Sequence, residues 1–216
     1  MGATSVGIDR EFVETWAKRY RCGAMNSPWH LGPKLKAAIK AHPEMGVLSE
    51  ITTYWELEEY IFKTIGPAVQ KAGFFTLPEF ITVGYWKTPR QLTNYRKNND
   101  ATVQKITLKA LASDLARPAR PVEMSGLDGV RVPVASALLT IWRPEEFTII
   151  DVFALKTLSR SSESIDGVGF HERGQTWWLG HYDMYLRACQ AIVDRLKPLN
   201  LRDVDRAIWK WGQLNA

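Results

Sequence analysis

Apolar residues recur at helical spacing along almost the whole chain, and the two-residue alternation of a half-buried strand is nearly absent. Phe12, Val13, Trp16 and Tyr20 share a helical face after Asp9, a natural cap. A Gly, Pro and Ser-rich loop follows, and residues 31–41 read as a short basic helix closed by Pro43. Ser49-Glu50 is expected to open an aromatic helix through Tyr54, Leu57, Ile61 and Phe62, with a stop near Gly66-Pro67. Another starts at Pro67, since proline suits a first turn, and ends at Gly73. Residues 77–86 and 89–95 give two more. Asn99 or Asp100 caps an amphipathic helix carrying Val103, Ile106, Leu108 and Leu111. Helical pattern returns over 121–126, 133–141 and 151–158. Residues 159–175 form the longest loop. Two helices, 177–196 and 201–214, close the chain, the second capped by Asn200 with Asp203 in its first turn. Phe80-Ile81-Thr82-Val83 and Phe147-Thr148-Ile149-Ile150 are β-prone but have no evident partner. The expected fold class is all-α, with connections of a few residues and no linker dividing the chain.

A chain of 216 residues makes one ordinary domain, or two small lobes sharing a core. Apolar residues at 45% and charged residues at 24% exclude a disordered or fibrous chain. The net charge of +5 permits an anionic partner such as nucleic acid without requiring one. Cys22 and Cys189 are too few for a disulfide framework or a four-cysteine cluster, and a reduced, cytoplasmic pair is expected. Residues 1–10 carry no secretory signal. The longest apolar run, 132–142, is far short of the roughly 20 residues that span a bilayer, so no membrane partner is expected.

The most informative stretch is Leu127-Asp128-Gly129-Val130-Arg131-Val132-Pro133-Val134-Ala135-Ser136-Ala137, followed by Phe147-Thr148-Ile149-Ile150-Asp151-Val152. It reads as helix, tight turn, helix, extended link, and then an Asp opening a further helix. Gly129 can take the positive φ that the turn needs. Pro133 suits a first turn, and Ala135, Ser136 and Ala137 allow close helix approach. Backbone N–H groups at such a turn can hold a phosphate without reading sequence.

This stretch resembles the helix-hairpin-helix DNA glycosylases, the superfamily of endonuclease III. Their pattern is Leu-Pro-Gly-Val-Gly, a small-residue helix, and a catalytic Asp after an apolar residue. Leu127, Gly129 and Val130 match the hairpin, Ala135 the small-residue helix, and Asp151 the catalytic position; the specific match covers residues 127–158. The resemblance implies a two-lobed helical fold, with residues 99–159 as the hairpin lobe and 1–98 with 160–216 as the other. It implies a double-stranded DNA partner, backbone contacts from Gly129, Val130 and Arg131, and a damaged or modified base flipped into a pocket. Three positions depart from the pattern. Arg131 replaces the second hairpin glycine, which bears on the DNA grip. Pro133 stands where bifunctional members carry a Schiff-base lysine, which argues against lyase chemistry. The C-terminal iron–sulfur cysteines are absent, so no cofactor is expected.

In such a reaction Asp151 would stabilise the positive charge that develops on the sugar and orient a water for attack. Lys156, about one and a half turns further on, is poorly placed to replace the missing lysine. Asp is also a preferred helix cap, so Asp151 has a purely structural reading, and the two roles can coexist.

Tyr85-Trp86-Lys87-Thr88-Pro89-Arg90 and Tyr95-Arg96-Lys97 interleave aromatics with cations. Lys87, Arg90 and Lys97 are candidate phosphate contacts, and Tyr85 and Trp86 candidate walls of a base pocket; otherwise the rings anchor a core and the cations are solvated. Trp177-Trp178 cannot share one helical face, which makes Trp177 a third pocket candidate. His30, His42, His171 and His181 show no metal-ligand spacing with either cysteine. The sequence thus leads to a monofunctional DNA glycosylase. A non-catalytic DNA-binding relative and a helical protein-interaction domain are the alternatives.

Overall fold

The structure is a computed structural model that describes residues 6–165, 168–170, 175–197 and 199–215, with the side chains of 164–165, 168–169 and 175–181 left aside. It is mostly helical. In chain order the helices are α1 (Arg10–Asn26), α2 (Pro33–Ala41), α3 (Tyr54–Tyr60), α4 (Gly66–Ala72), α5 (Leu77–Lys87) and α6 (Leu92–Tyr95). They continue with α7 (Asp100–Leu111), α8 (Arg120–Met124), α9 (Val132–Trp142), α10 (Val152–Ser159), α11 (Gln175–Arg195) and α12 (Leu201–Asn215). The long loop after α10 holds β1 (Ser164–Ile165) and β2 (Val168–Gly169), a two-residue antiparallel pair. Among the described residues no helix is long and apolar enough to cross a membrane.

The chain gathers into two compact units, Ala24–Arg143 and Met1–Gly23 with Pro144–Ala216. These divisions fall at 23/24 and 143/144, whereas the resemblance led to 98/99 and 159/160. Residues 127–134 therefore belong to the first unit and Asp151 to the second.

In the Ala24–Arg143 unit, α9 is the central element, with every residue buried except Pro133. Its Ile141 carbonyl lies so close to α4 that a methyl group on Gly66 would come within 2.9 Å of it. The aromatic helix opens at Thr53, not at Ser49-Glu50, because Thr53 and Glu56 form a reciprocal capping box; residues Pro43–Ser49 are a 3₁₀ turn instead. Nor does it stop at Gly66-Pro67. Proline lacks an N–H, and the helix accommodates this by widening over Ile61–Ile65, where the Gly66 N–H reaches back to the Ile61 carbonyl. It runs on to Gly73, whose φ of 78° ends it. Phe80–Val83, β-prone by composition, is buried helix within α5, entered through a second capping box at Thr76 and Glu79.

In the other unit, α10 crosses α12 at Gly212. A methyl group there would lie 2.0 Å from the Phe153 carbonyl oxygen, so only glycine admits this approach. Thr157 Oγ1 adds a 2.5 Å hydrogen bond to the Ile208 carbonyl. Asp205, buried on α12, pairs with Arg202. Both cysteines are free: Cys22 is exposed, and burial pushes the Cys189 thiol well above its ordinary range.

Candidate functional site

Residues 127–130 turn the chain between α8 and α9. The Val130 N–H closes on the Leu127 carbonyl at 3.1 Å, and Gly129 takes φ +83°. Leu127 and Val130 are buried and pin the turn, while Asp128 is exposed at its tip. Arg131 follows as an exposed, extended residue at the start of α9, with Pro133 in the first turn.

The turn is braced from beneath by two residues of the 95–98 segment. The buried Asn98 side chain accepts the Asp128 N–H at 2.9 Å and donates to the Asp128 carbonyl at 3.1 Å. It also donates to the Tyr95 carbonyl at 2.9 Å. The Tyr95 ring, fully buried, lies between two glycines. A Cβ on Gly129 would stand 2.8 Å from one edge, and a Cβ on Gly84 2.9 Å from the other. Gly129 is thus demanded twice, by its φ and by the ring against it. Burial raises the Tyr95 hydroxyl far above its ordinary range, opposed by a hydrogen bond with the Thr88 side chain and by the nearby Arg90.

This brace fixes what surrounds the turn. Lys97, exposed, is adjacent in the chain to Asn98, and Arg90, also exposed, lies within electrostatic reach of the Tyr95 hydroxyl. Lys87 is half-buried at the end of α5. Tyr85 and Trp86 look to different neighbours. Tyr85 meets Trp29 edge-on at 5.5 Å and lines a shallow groove of about 360 Å³ with Pro33, Lys34 and Pro89. Trp86 meets Phe62 at 6.2 Å. Trp177 lies in α11, and its side chain is outside the described residues. A second cavity, of about 410 Å³, is lined by Glu44, Glu79 and Asp100. It repels phosphate, and two of its carboxylates are already engaged: Glu79 by the Thr76 cap, and Asp100 by the Leu77 N–H at 2.7 Å. No group of metal-ligating side chains occurs among the described residues.

Asp151 is the N-cap of α10. Its backbone is extended, and Oδ1 accepts the Phe153 N–H at 3.0 Å. It is half-buried, and Val152 beside it is 40% exposed, so this helix start lies at the surface of its unit. Three sets of contacts hold it there. The cap fixes the carboxylate to the first turn. The crossing at Gly212 and the Thr157 bond fix α10 on α12. Upstream, Phe147–Ile150 is buried and lies in neither helix nor strand, and although its composition is β-prone no strand among the described residues pairs with it. Two tyrosines of α11 take that place: Tyr182 donates to the Thr148 carbonyl at 2.8 Å and Tyr185 to the Ile149 carbonyl at 2.9 Å.

The first turn of α10 also carries an aromatic run. Phe153 meets Trp209 edge-on at 5.8 Å, and Trp209 meets Tyr20 at 5.6 Å. All three rings are half-buried. The Lys156 ammonium lies 5.7 Å from the Phe153 ring centre, in a cation–π contact. Sequence reasoning singled out Asp151, Gly129 and the cations but missed Tyr182, Tyr185, Asn98 and Gly212. Set against family models, curated proteins and solved structures, the chain matches none.

Proposed function

We propose that this chain is a monofunctional DNA glycosylase that hydrolyses the N-glycosidic bond of a damaged or modified base, with Asp151 as the catalytic carboxylate. The observation that carries this reading is how firmly Asp151 is held. A cap needs only a short polar side chain at a helix start. Here the residue is also fixed from upstream by two buried tyrosine hydroxyls and from below by a glycine crossing. Such fixing suits a group that must meet charge as it develops, without first reorganising.

The carboxylate would face the sugar as its C1′–N bond lengthens. Positive charge would spread over the ring, the departing base would carry away the bonding electrons, and a water held by Asp151 would attack C1′ and lose its proton, the departing base taking one up in balance. Pro133 offers no amine, and Lys156 sits over an aromatic ring, so water is the nucleophile in this proposal. Borohydride should therefore trap no covalent adduct with DNA; a trapped adduct would overturn the monofunctional assignment.

The turn at 127–130 would grip the phosphate backbone, with Arg131, Arg90, Lys87 and Lys97 as the cationic contacts. Arg131→Ala is expected to weaken duplex binding and to reduce the salt dependence by about one unit of slope, one phosphate's worth. Binding measured across a salt series reads both. If neither moves, the turn is not the DNA grip. A non-catalytic DNA-binding protein is the second reading, favoured by Arg131 in place of the more permissive glycine. It keeps the salt dependence and releases no base.

A further inference from the structure

We infer that Tyr182 and Tyr185 are positioning residues that aim Asp151, an assignment that rests on the catalytic reading of that residue. Phe147–Ile150 runs buried, outside any helix or strand, into the cap. Buried backbone carbonyls need partners, and a neighbouring strand usually supplies them. Two side chains supply them here, to consecutive peptide groups, with only Ile150 between the second carbonyl and Asp151. Bonds to consecutive peptide planes fix the twist of the segment as well as its position.

The two donors act as one unit. They lie three residues apart on α11, and their rings are nearly parallel, 6.4 Å apart with 19° between planes. Both are almost fully buried, so each is held by packing as well as by its bond. Burial holds the Tyr185 hydroxyl well above its ordinary range, helped by the neighbouring Cys189 and Asp205. If the core needed only volume, phenylalanine would fill it without a buried hydroxyl to satisfy. The hydroxyls matter for where they hold the backbone. Phenylalanine at either position would leave a buried carbonyl without its partner. The segment would shift to relieve this, and the Asp151 carboxylate would move with it. A displacement of about 1 Å is enough to lose about 10²-fold in a reaction that depends on alignment.

The test needs no knowledge of the base. Two duplexes are compared, one with a pyrrolidine abasic analogue, cationic like the sugar in the transition state, and one with a neutral tetrahydrofuran abasic site. The ratio of the two affinities reports how well a carboxylate is aimed at the sugar. A residue with only a structural role would lower stability and leave this ratio alone. The native protein should prefer the cationic duplex, and Asp151→Asn should lose the preference. Tyr182→Phe and Tyr185→Phe, made separately so that one suffices if the other fails to fold, should bind the neutral duplex as the native protein does. Each should lose at least about threefold of the preference, and neither should lower it further in the Asp151→Asn background, since they act through that carboxylate. If Asp151→Asn abolishes the preference and the folded phenylalanine variants keep all of it, the positioning role is overturned and the catalytic reading stands. If Asp151→Asn keeps the preference, or the native protein has none, the catalytic reading falls and the positioning role with it.

Discussion

Asp151→Asn is expected to lower base release by about 10² to 10³-fold while leaving the fold and the affinity for undamaged duplex unchanged. Asparagine is nearly the same size and is itself a good cap, so it can still accept the Phe153 N–H that Asp151 Oδ1 now accepts at 3.0 Å. What it lacks is the negative charge. Circular dichroism and melting should therefore match the native protein, because the cap is kept, and the loss of charge should show only in the rate. Single-turnover base release on a substrate of the native protein, with duplex binding as control, gives the comparison. An Asp151→Asn protein that releases base at the native rate would leave the cap as the whole role of this residue.

The largest effect on stability is expected at Gly212. Alanine there would set its Cβ 2.0 Å from the Phe153 oxygen and 2.8 Å from Thr157 Oγ1, so α10 and α12 must separate. Overpacking against backbone lies at or beyond the upper end of the usual range, about 3 kcal/mol. For a chain of this length that corresponds to a melting temperature lower by about 6–12 °C. Gly46→Ala is the control, because nothing lies within 4 Å of the added atom. It should stay within about 0.5 kcal/mol of the native protein. Calorimetry on both variants checks the pair, and Gly212→Ala melting beside the native protein would contradict the close crossing.

Much of the helical framework was legible because it is written locally. Asp9, Asn99 and Asn200 each stand where the apolar spacing begins, and each accepts an N–H of the following turn, at 2.7, 2.8 and 2.9 Å. Gly129 was legible for a similar reason: a turn between two helices needs a residue that tolerates positive φ. One local reading failed where another interaction prevailed: Thr53 with Glu56 outweighed Ser49 as a helix start. At Phe80–Val83 the helical spacing of residues 77–86 prevailed over the β-prone composition, and the segment is buried helix. The supports of the site were illegible because they act across long stretches of chain. Asn98 reaches Asp128 30 residues away, and Tyr182 reaches Thr148 34 residues away. An asparagine after a basic run, or two tyrosines three apart on a helix, carries no sign of which carbonyl it will meet. Phe147–Ile150 shows both sides of this. Its lying outside any helix agrees with its β-prone composition, whereas its partners are side chains and not the strand that such a run leads one to seek.

The most direct measurement of the central claim is base release by the native protein from duplexes that each carry one modified base. The set should span alkylated, deaminated, oxidised and hypermodified bases, with free base and abasic DNA quantified together. The expected result is release from at least one duplex, in equal amounts of free base and abasic site, with no strand cleavage. Duplex binding that is intact and salt-dependent, with no base released from any member of the set, would contradict it and leave a DNA-binding protein in which Asp151 only caps a helix.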